Sequence, residues 1–170
     1  MTNSRFRFRA FFEGATFYDD DGNEYTKSFY LYDVALYKEL DCGISRDDLE
    51  AQLREQCFSE KEIRRIEEDE FDSWDAEWYF FTPSAIEQCT GLRDKNGKLI
   101  YEGDIVQTND QTIGDVKFGK YGGDSWQGWH LGFYIDWIKY RQPCQRKPTL
   151  RKDFWFWIEN RELEIVGNIH

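Results

Sequence analysis

The chain has 170 residues, of which 40% are apolar, 18% aromatic and 32% charged. This length suits one domain, and the aromatic content excludes a composition of the disordered type. The net charge of −11 argues against a nucleic-acid binder that works through bulk charge, and no apolar run is long enough to span a membrane. We therefore expect an acidic cytoplasmic protein with no membrane partner.

The first predicted element is a strand near the start of the chain. Apolar and basic residues alternate there with a period of two, which is typical of a half-buried strand: Arg5, Phe6, Arg7, Phe8, Arg9, Ala10, Phe12. The three arginines fall on one face, which is either a solvated strand face or a row of cations for phosphates or acidic side chains. Three aspartates and a glycine at 19–22 then predict a hairpin turn.

Two short helices are predicted next, over 46–56 and 60–70. Each begins at a serine that is followed three residues later by an acidic residue, as in a capping box: Ser45 with Asp48, and Ser59 with Glu62. Their apolar stripes are narrow, so the helix pair is expected to pack against another element.

The segment 41–78 also holds most of the negative charge, with 14 acidic and five basic residues. We interpret it as an acidic helical insertion, a two-helix hairpin within a β domain. Clustered carboxylates and tryptophans predict that it binds a partner with a basic surface, and the candidate contact residues are Glu67, Glu68, Asp69, Glu70, Trp74 and Trp78.

The C-terminal half predicts one short strand after another. Turn residues at 94–98 and Gly103 separate apolar segments at roughly ten-residue spacing, a pattern typical of a small, strongly bent β-barrel. An alternating strand over 129–137 places His130 on a solvated face, and an apolar run over 154–158 predicts a central strand. The glycine-rich stretch 119–128 is expected to be an exposed loop. The predicted fold class is mainly β, α+β overall, with an SH3-like or related barrel.

A basic cluster over 139–152 carries six cations and no acidic residue. Together with the arginines of the first strand it forms a candidate basic patch: Arg5, Arg7, Arg9, Arg146, Lys147, Arg151 and Lys152. A small barrel with such a rim and exposed tryptophans would bind single-stranded nucleic acid, and this is the alternative function.

Catalytic residues, metal ligands and cofactors are not predicted. The four cysteines lack the closely spaced pairs of a zinc site, and the chain has only two histidines, His130 and His170, for acid–base catalysis. A third hypothesis is a metal-dependent hydrolase built from four carboxylates in the strand region: Asp104, Asp115, Asp124 and Asp136.

One block of the sequence resembles a known family. It runs from Thr90-Gly91-Leu92 through Asp94-Lys95-Asn96-Gly97-Lys98 to Tyr101-Glu102-Gly103-Asp104-Ile105-Val106, and Gly167-Asn168-Ile169 closes the chain. This pattern is similar to that of the YopX family of phage and prophage proteins. The resemblance implies a single β-rich domain over 1–170 and a phage or prophage origin, with no established activity or catalytic residues.

The leading hypothesis is therefore a phage-encoded, non-catalytic binding protein that acts on a host protein through its acidic, aromatic-containing surface. One form of this is inhibition of a host defence nuclease or DNA-binding protein by carboxylates that compete with phosphates. A homo-oligomer, with acidic helices of one subunit against basic strands of the next, is compatible with each hypothesis.

Overall fold

The structure, a computed structural model, describes residues 7–36, 42–69, 71–73, 78–122, 128–139, 154 and 163–170. The chain divides into two compact units, Met1–Glu87 and Gln88–His170. The predicted fold class is confirmed, because strongly bent antiparallel strands predominate and two helices are inserted among them. The single domain over 1–170 and the boundaries of the 41–78 insertion stay predictions. None of the described helices is long and apolar enough to cross a membrane.

Unit 1 is built on a bent hairpin. Strands β1 (Phe8–Tyr18) and β2 (Glu24–Tyr32) pair antiparallel, and their register shifts at a bulge between Phe12 and Ala15. Gly14 occupies this bulge with φ +69°, a conformation that other residues rarely adopt. The predicted turn at 19–22 is confirmed, since the Asp19 carboxylate accepts hydrogen bonds from the backbone N–H groups of Asp21 and Asn23.

A second sheet has the strand order β3 (Ala35–Leu36), β4 (Cys42–Ser45), β6 (Trp78–Phe81), β5 (Asp72–Ser73).

The two predicted helices are present as α1 (Arg46–Glu55) and α2 (Glu60–Asp69). The Ser45 hydroxyl accepts a hydrogen bond from the backbone N–H of Asp48 at 3.2 Å. At α2 the capping box is reciprocal. The Glu62 carboxylate accepts from the Ser59 N–H at 2.7 Å, and the Ser59 hydroxyl accepts from the Glu62 N–H at 3.4 Å. Both helix starts therefore follow from the local sequence.

The narrow apolar stripes of the helices are buried in the core of unit 1. Leu49, Leu53, Ile63 and Ile66 are at most 2% exposed and belong to one cluster with the aromatic side chains of the strands. In this cluster Phe12 stacks on Phe29 with ring centroids 4.6 Å apart. The expectation that the helix pair packs against another element is confirmed.

Helix α1 also covers part of the β2 edge. The Gln52 amide accepts from the Tyr32 N–H at 2.6 Å and donates to the Tyr32 carbonyl at 3.0 Å. One helical turn later, Gln56 makes the same pair of bonds with Tyr30, at 3.1 and 2.6 Å. These two amides take the place of a neighbouring strand, which protects an edge that would otherwise be open to pairing.

Unit 2 contains the end of β7 (Ala85–Arg93), then β8 (Leu99–Tyr101) and the sheet β11-β10-β9-β12. These four strands are β9 (Asp104–Gln107), β10 (Ile113–Gly122), β11 (Trp129–Lys139) and β12 (Glu164–Asn168). The last strand therefore pairs with β9 rather than with the strand before it. The core includes Val106, Val116, Ile135 and Leu163, each at most 1% exposed. The predicted strand at 154–158 lies outside the described residues except for Phe154, which is buried but helical, so the prediction of a strand is wrong at this residue.

The block that resembles the YopX family forms the turns of unit 2. Asp94 is 7% exposed, and its carboxylate accepts from the N–H groups of Asn96 and Lys98 at 2.9 Å and of Ile165 at 3.2 Å.

Asp104 is 1% exposed, and its carboxylate accepts a hydrogen bond from the Tyr101 N–H at 2.8 Å. Gly103, at φ +81°, donates to the Val116 carbonyl. The block therefore has a structural role, since its polar residues satisfy backbone groups at the sheet corners.

One loop prediction is wrong in part. The stretch 119–128 was expected to be an exposed loop, but residues 119–122 continue β10 and pair with β11. Gly119 lies opposite Gly132, and the stacked rings of Tyr121 and Tyr134, 5.3 Å apart, lie on the same face. Cross-strand aromatic pairs of this kind compensate for the weak strand preference of glycine.

Candidate interaction surfaces

The structure describes only part of the predicted partner-binding set. Glu68 is exposed, whereas Glu67 is half-buried and accepts a hydrogen bond from the Tyr79 hydroxyl at 3.2 Å. Asp69 forms an ion pair with Arg65 at 3.1 Å. Glu70, Trp74 and the side chain of Trp78 lie outside the described residues. Only three of the six side chains are therefore described, and the surface that the six would form stays a prediction.

Internal ion pairs neutralise much of the charge on the helices. Arg54 binds Glu50 at 2.7 Å and Glu60 at 2.8 Å, and Arg46 lies 3.6 Å from Glu67. Residues 46–69 have nine acidic and five basic side chains, so the other acidic residues of the segment lie before and after the helices, at 41, 70, 72, 75 and 77. The helix pair is therefore less acidic than the whole segment 41–78.

Three carboxylates of the helix pair remain for contacts with another molecule. Asp48 is exposed and forms no ion pair with a described residue, but its carboxylate accepts a hydrogen bond from the Ser45 hydroxyl at 2.6 Å. Asp47, Glu55 and Glu68 are exposed, and none of them forms an ion pair with any residue that the structure describes. We call these three residues the carboxylate trio. Sequence analysis had singled out only Glu68, because the pairing of the other acidic residues depends on the folded geometry.

Glu62 has a different role from the trio. It is 7% exposed, and its carboxylate accepts hydrogen bonds from Lys27, from Ser59 and from the Tyr25 hydroxyl. Burial raises the pKa of this carboxyl, but the hydrogen bonds from Lys27 and Ser59 outweigh that effect and lower the pKa from 4.5 to about 2. Glu62 is thus a buried anion that stabilises the fold.

Unfolding should depend on pH through Glu62. Because the pKa is lower in the folded state than in the unfolded state, the stabilisation is present above the unfolded value of 4.5 and is lost as the pH falls towards about 2. The loss should be up to about 3 kcal/mol. In urea titrations at several pH values, Glu62→Gln should have a lower free energy of unfolding near neutral pH than the wild type. Its free energy of unfolding should also change less with pH between about 4.5 and about 2. Glu68→Gln, which removes an exposed carboxylate from the same helix, is the control, and equal curves for wild type and Glu62→Gln would contradict the assignment.

The candidate basic patch differs from the expectation at Arg9. Arg9 is 3% exposed, pairs with Glu87 on β7 and lies over the Tyr30 ring at 4.7 Å. The prediction that all three arginines share a solvated face is therefore wrong at this position, because both faces of β1 are covered there. Arg7 is half-exposed and lies 3.3 Å from Asp33. The rest of the patch lies outside the described residues: Arg5, Arg146, Lys147, Arg151 and Lys152.

The far end of the β10–β11 hairpin exposes large apolar side chains. We call residues 118–122 and 129–133 the distal arm. Phe118 is 47% exposed, Trp129 63% and Leu131 77%, and we call these three side chains the apolar strip. The Lys120 ammonium lies 4.3 Å from the centre of the Trp129 ring. The alternation over 129–137 predicted a strand correctly, but these apolar residues are more exposed than a half-buried strand implies.

The opposite face of the distal arm is also aromatic. Tyr121 stacks on His130 with ring centroids 5.4 Å apart, and it stacks on Tyr134 from the other side. The predicted solvated position of His130 is confirmed, because the side chain is exposed. The distal arm therefore presents ring systems on both faces.

The carboxylates considered for a hydrolase have other partners. Asp115 and Asp136 lie opposite each other in the β10–β11 register, and Lys117 donates to both at 2.9 Å. The hydrogen bonds to Asp136 and Asp115 raise the pKa of Lys117. Asp104 satisfies a sheet corner, and Asp124 lies outside the described residues. In the part of the chain that is described, no three metal-ligating side chains lie together.

Comparison with known proteins finds one similarity. The family model described as YopX protein matches residues 26–170, which is most of the chain. No curated protein and no solved structure matches the chain.

Proposed function

The chain belongs to the YopX family, and on that premise we propose that it is a phage-encoded, non-catalytic protein that binds a host protein in the host cytoplasm. The binding surface is the acidic segment 41–78 with its tryptophans, and the partner has a basic surface. One form of this function is inhibition of a defence nuclease or DNA-binding protein, whose lysines and arginines would bind carboxylates in place of phosphates.

The carboxylate trio is the observation that carries this proposal. Four cations of the helix pair are held in ion pairs within unit 1: Arg46, Arg54, Lys61 and Arg65. The fifth cation, Arg64, is exposed and its charge contributes to lowering the pKa of Glu60. None of the five forms an ion pair with the trio among the described residues. Exposed carboxylates without internal partners are available to cations of another protein, and they increase the rate and selectivity of association.

The helices hold the trio in a fixed arrangement. Leu49 and Ile63 are buried in the core, and Gln52 and Gln56 bind the backbone of β2. A charged surface on anchored helices loses little conformational entropy when a partner binds, which favours affinity. This supports the helix pair as a preformed contact surface.

The alternative functions receive less support from the described residues. For a nucleic-acid-binding module, Arg9 is buried and Arg7 is paired, which removes two cations from the proposed rim. For a metal-dependent hydrolase, the carboxylates of Asp115 and Asp136 are bound by Lys117. A contact with a basic host protein needs neither site.

Capture from a host lysate tests the proposal. The tagged wild-type chain should recover a basic host protein at about 50 mM salt and less of it at about 150 mM, since screening weakens surface charge contacts. The variant Asp47→Asn/Glu55→Gln/Glu68→Gln should recover at least about tenfold less, which corresponds to about 1.4 kcal/mol.

The matched control removes three exposed carboxylates elsewhere in unit 1, in the variant Glu13→Gln/Asp21→Asn/Glu24→Gln. Both triple variants lower the net negative charge by the same amount, so a general charge effect would reduce capture in both. The proposal requires that the amount of recovered host protein fall with the trio variant and not with the control variant. Recovery of no partner by the wild-type chain at either salt concentration, or equal recovery by the two variants, would contradict it.

A further inference from the structure

The apolar strip continues the core-facing side of unit 2 beyond the end of the core. In the β10–β11 register Val116 lies opposite Ile135, and both are buried. The next pairs along the same face are Phe118 with Phe133 and Lys120 with Leu131, followed by Trp129. The face is therefore apolar along its length except at Lys120, but only its first part is covered.

The supporting sheet ends where the strip begins. Strand β9 pairs with β10 at 113–115, and just before β9 the Gly103 N–H donates to the Val116 carbonyl and the Glu102 carboxylate accepts from the Phe118 N–H. Beyond them, within the described part of the chain, β10 and β11 form a two-stranded ribbon. An isolated ribbon is at best marginally stable in water, so an occupant on its apolar face would stabilise it.

The size and the charge of the strip indicate what the occupant is. The exposed fractions of its three side chains correspond to on the order of 400 Å² of apolar surface, the size of the largest apolar patch on many monomers, and such patches are often functional. Lys120 is the only charged residue on this face of the distal arm. On a chain of net charge −11, the strip is therefore a place where two copies can meet without bringing carboxylates together.

We propose that the apolar strip is a self-association surface, on which the strip of a second copy packs about a two-fold axis. Apolar side chains of one copy then cover those of the other, as an isologous interface requires. Two strips bury on the order of 800 Å², which is below the usual size of a stable interface, so the dimer is weak and reversible. This inference concerns unit 2 and does not depend on the proposed function.

The dependence of the dimer on salt distinguishes it from other occupants. Two copies that each carry −11 repel each other, and salt screens this repulsion, so dimerisation should become stronger as salt increases. Binding of nucleic acid or of an acidic protein to Lys120 would instead become weaker. Binding that becomes stronger with salt therefore indicates the apolar dimer, and binding that becomes weaker with salt indicates an ionic contact at Lys120.

Analytical ultracentrifugation of the full chain tests this proposal. The mass should rise from monomer towards dimer between about 5 and 500 µM, and the dissociation constant should fall several-fold between about 50 and 300 mM salt. The variant Trp129→Ser/Leu131→Ser should raise the dissociation constant at least about tenfold. Ile138→Ser removes an apolar side chain that is 62% exposed on the same strand but outside the strip, and it should leave the dimer unchanged.

Two results would overturn the proposal. The first is a wild-type chain that is monomeric at every concentration, and the second is a dimer that the strip variant does not weaken. If the wild type is monomeric and the strip variant melts at a lower temperature, the strip is covered by the chain itself. A labelled oligothymidylate provides the test for nucleic acid. If it binds the wild type but not the strip variant, and no dimer forms at high salt, the strip is a nucleic-acid contact and the proposal is wrong.

Discussion

Replacing Arg9 by methionine is expected to lower the free energy of unfolding by about 3–5 kcal/mol, because it leaves a buried carboxylate without its cation. The Arg9 side chain is 3% exposed and that of its partner Glu87 is 5% exposed. Arg9 also lies over the Tyr30 ring, a contact that the variant loses. Urea denaturation of the full chain, followed by circular dichroism, measures the difference.

Two further variants make this prediction specific. Arg7→Met removes the next arginine of β1, whose pair with Asp33 is 39% and 57% exposed, and it should cost less than about 1 kcal/mol. Arg9→Met/Glu87→Leu replaces both buried charges and should recover much of the lost stability. If Arg9→Met were as stable as Arg7→Met, the pair would not be buried as the structure describes.

Replacing Asp94 by alanine should destabilise unit 2 by about 2–4 kcal/mol, because its buried carboxylate binds three backbone N–H groups, two in the 94–98 turn and one in β12. One of these groups belongs to Ile165, so the variant should also loosen β12. Amide hydrogen exchange should become faster at Asn96, Lys98 and Ile165, and urea denaturation should show the loss of stability.

The control for this turn is Asp110→Ala. Asp110 is exposed and accepts from the Thr112 N–H at 3.2 Å in the turn between β9 and β10. Its removal should cost about 1 kcal/mol and leave exchange at Ile165 unchanged. A loss for Asp94→Ala that is no larger than for Asp110→Ala would contradict the structural role of the family block.

Local patterns explain the parts of the fold that the sequence predicted well. The predicted helices begin at the observed residues because Ser45 and Ser59 bind backbone groups only three residues away. The turns at 19–22 and 94–98 likewise depend on aspartates that bind the backbone two and four residues later. Interactions of such short range leave a direct trace in the sequence.

Long-range contacts explain the parts that were missed. Arg9 is buried because Glu87, 78 residues later, pairs with it, and alternation within β1 gives no sign of that partner. The exposure of Trp129 and Leu131 depends on where β9 ends, which lies in another strand. Likewise, Lys61 pairs with Asp20, 41 residues away, so counting charges along 41–78 does not show which carboxylates of the helices have a counter-ion.

The affinity of the captured host partner, measured by titration calorimetry at several salt concentrations, tests most directly whether the carboxylate trio carries binding. The wild-type dissociation constant should rise with salt, and the trio variant should bind at least about tenfold more weakly with a shallower dependence on salt. Equal affinities for the two proteins, with the same response to salt, would contradict a function that depends on the exposed charge of α1 and α2.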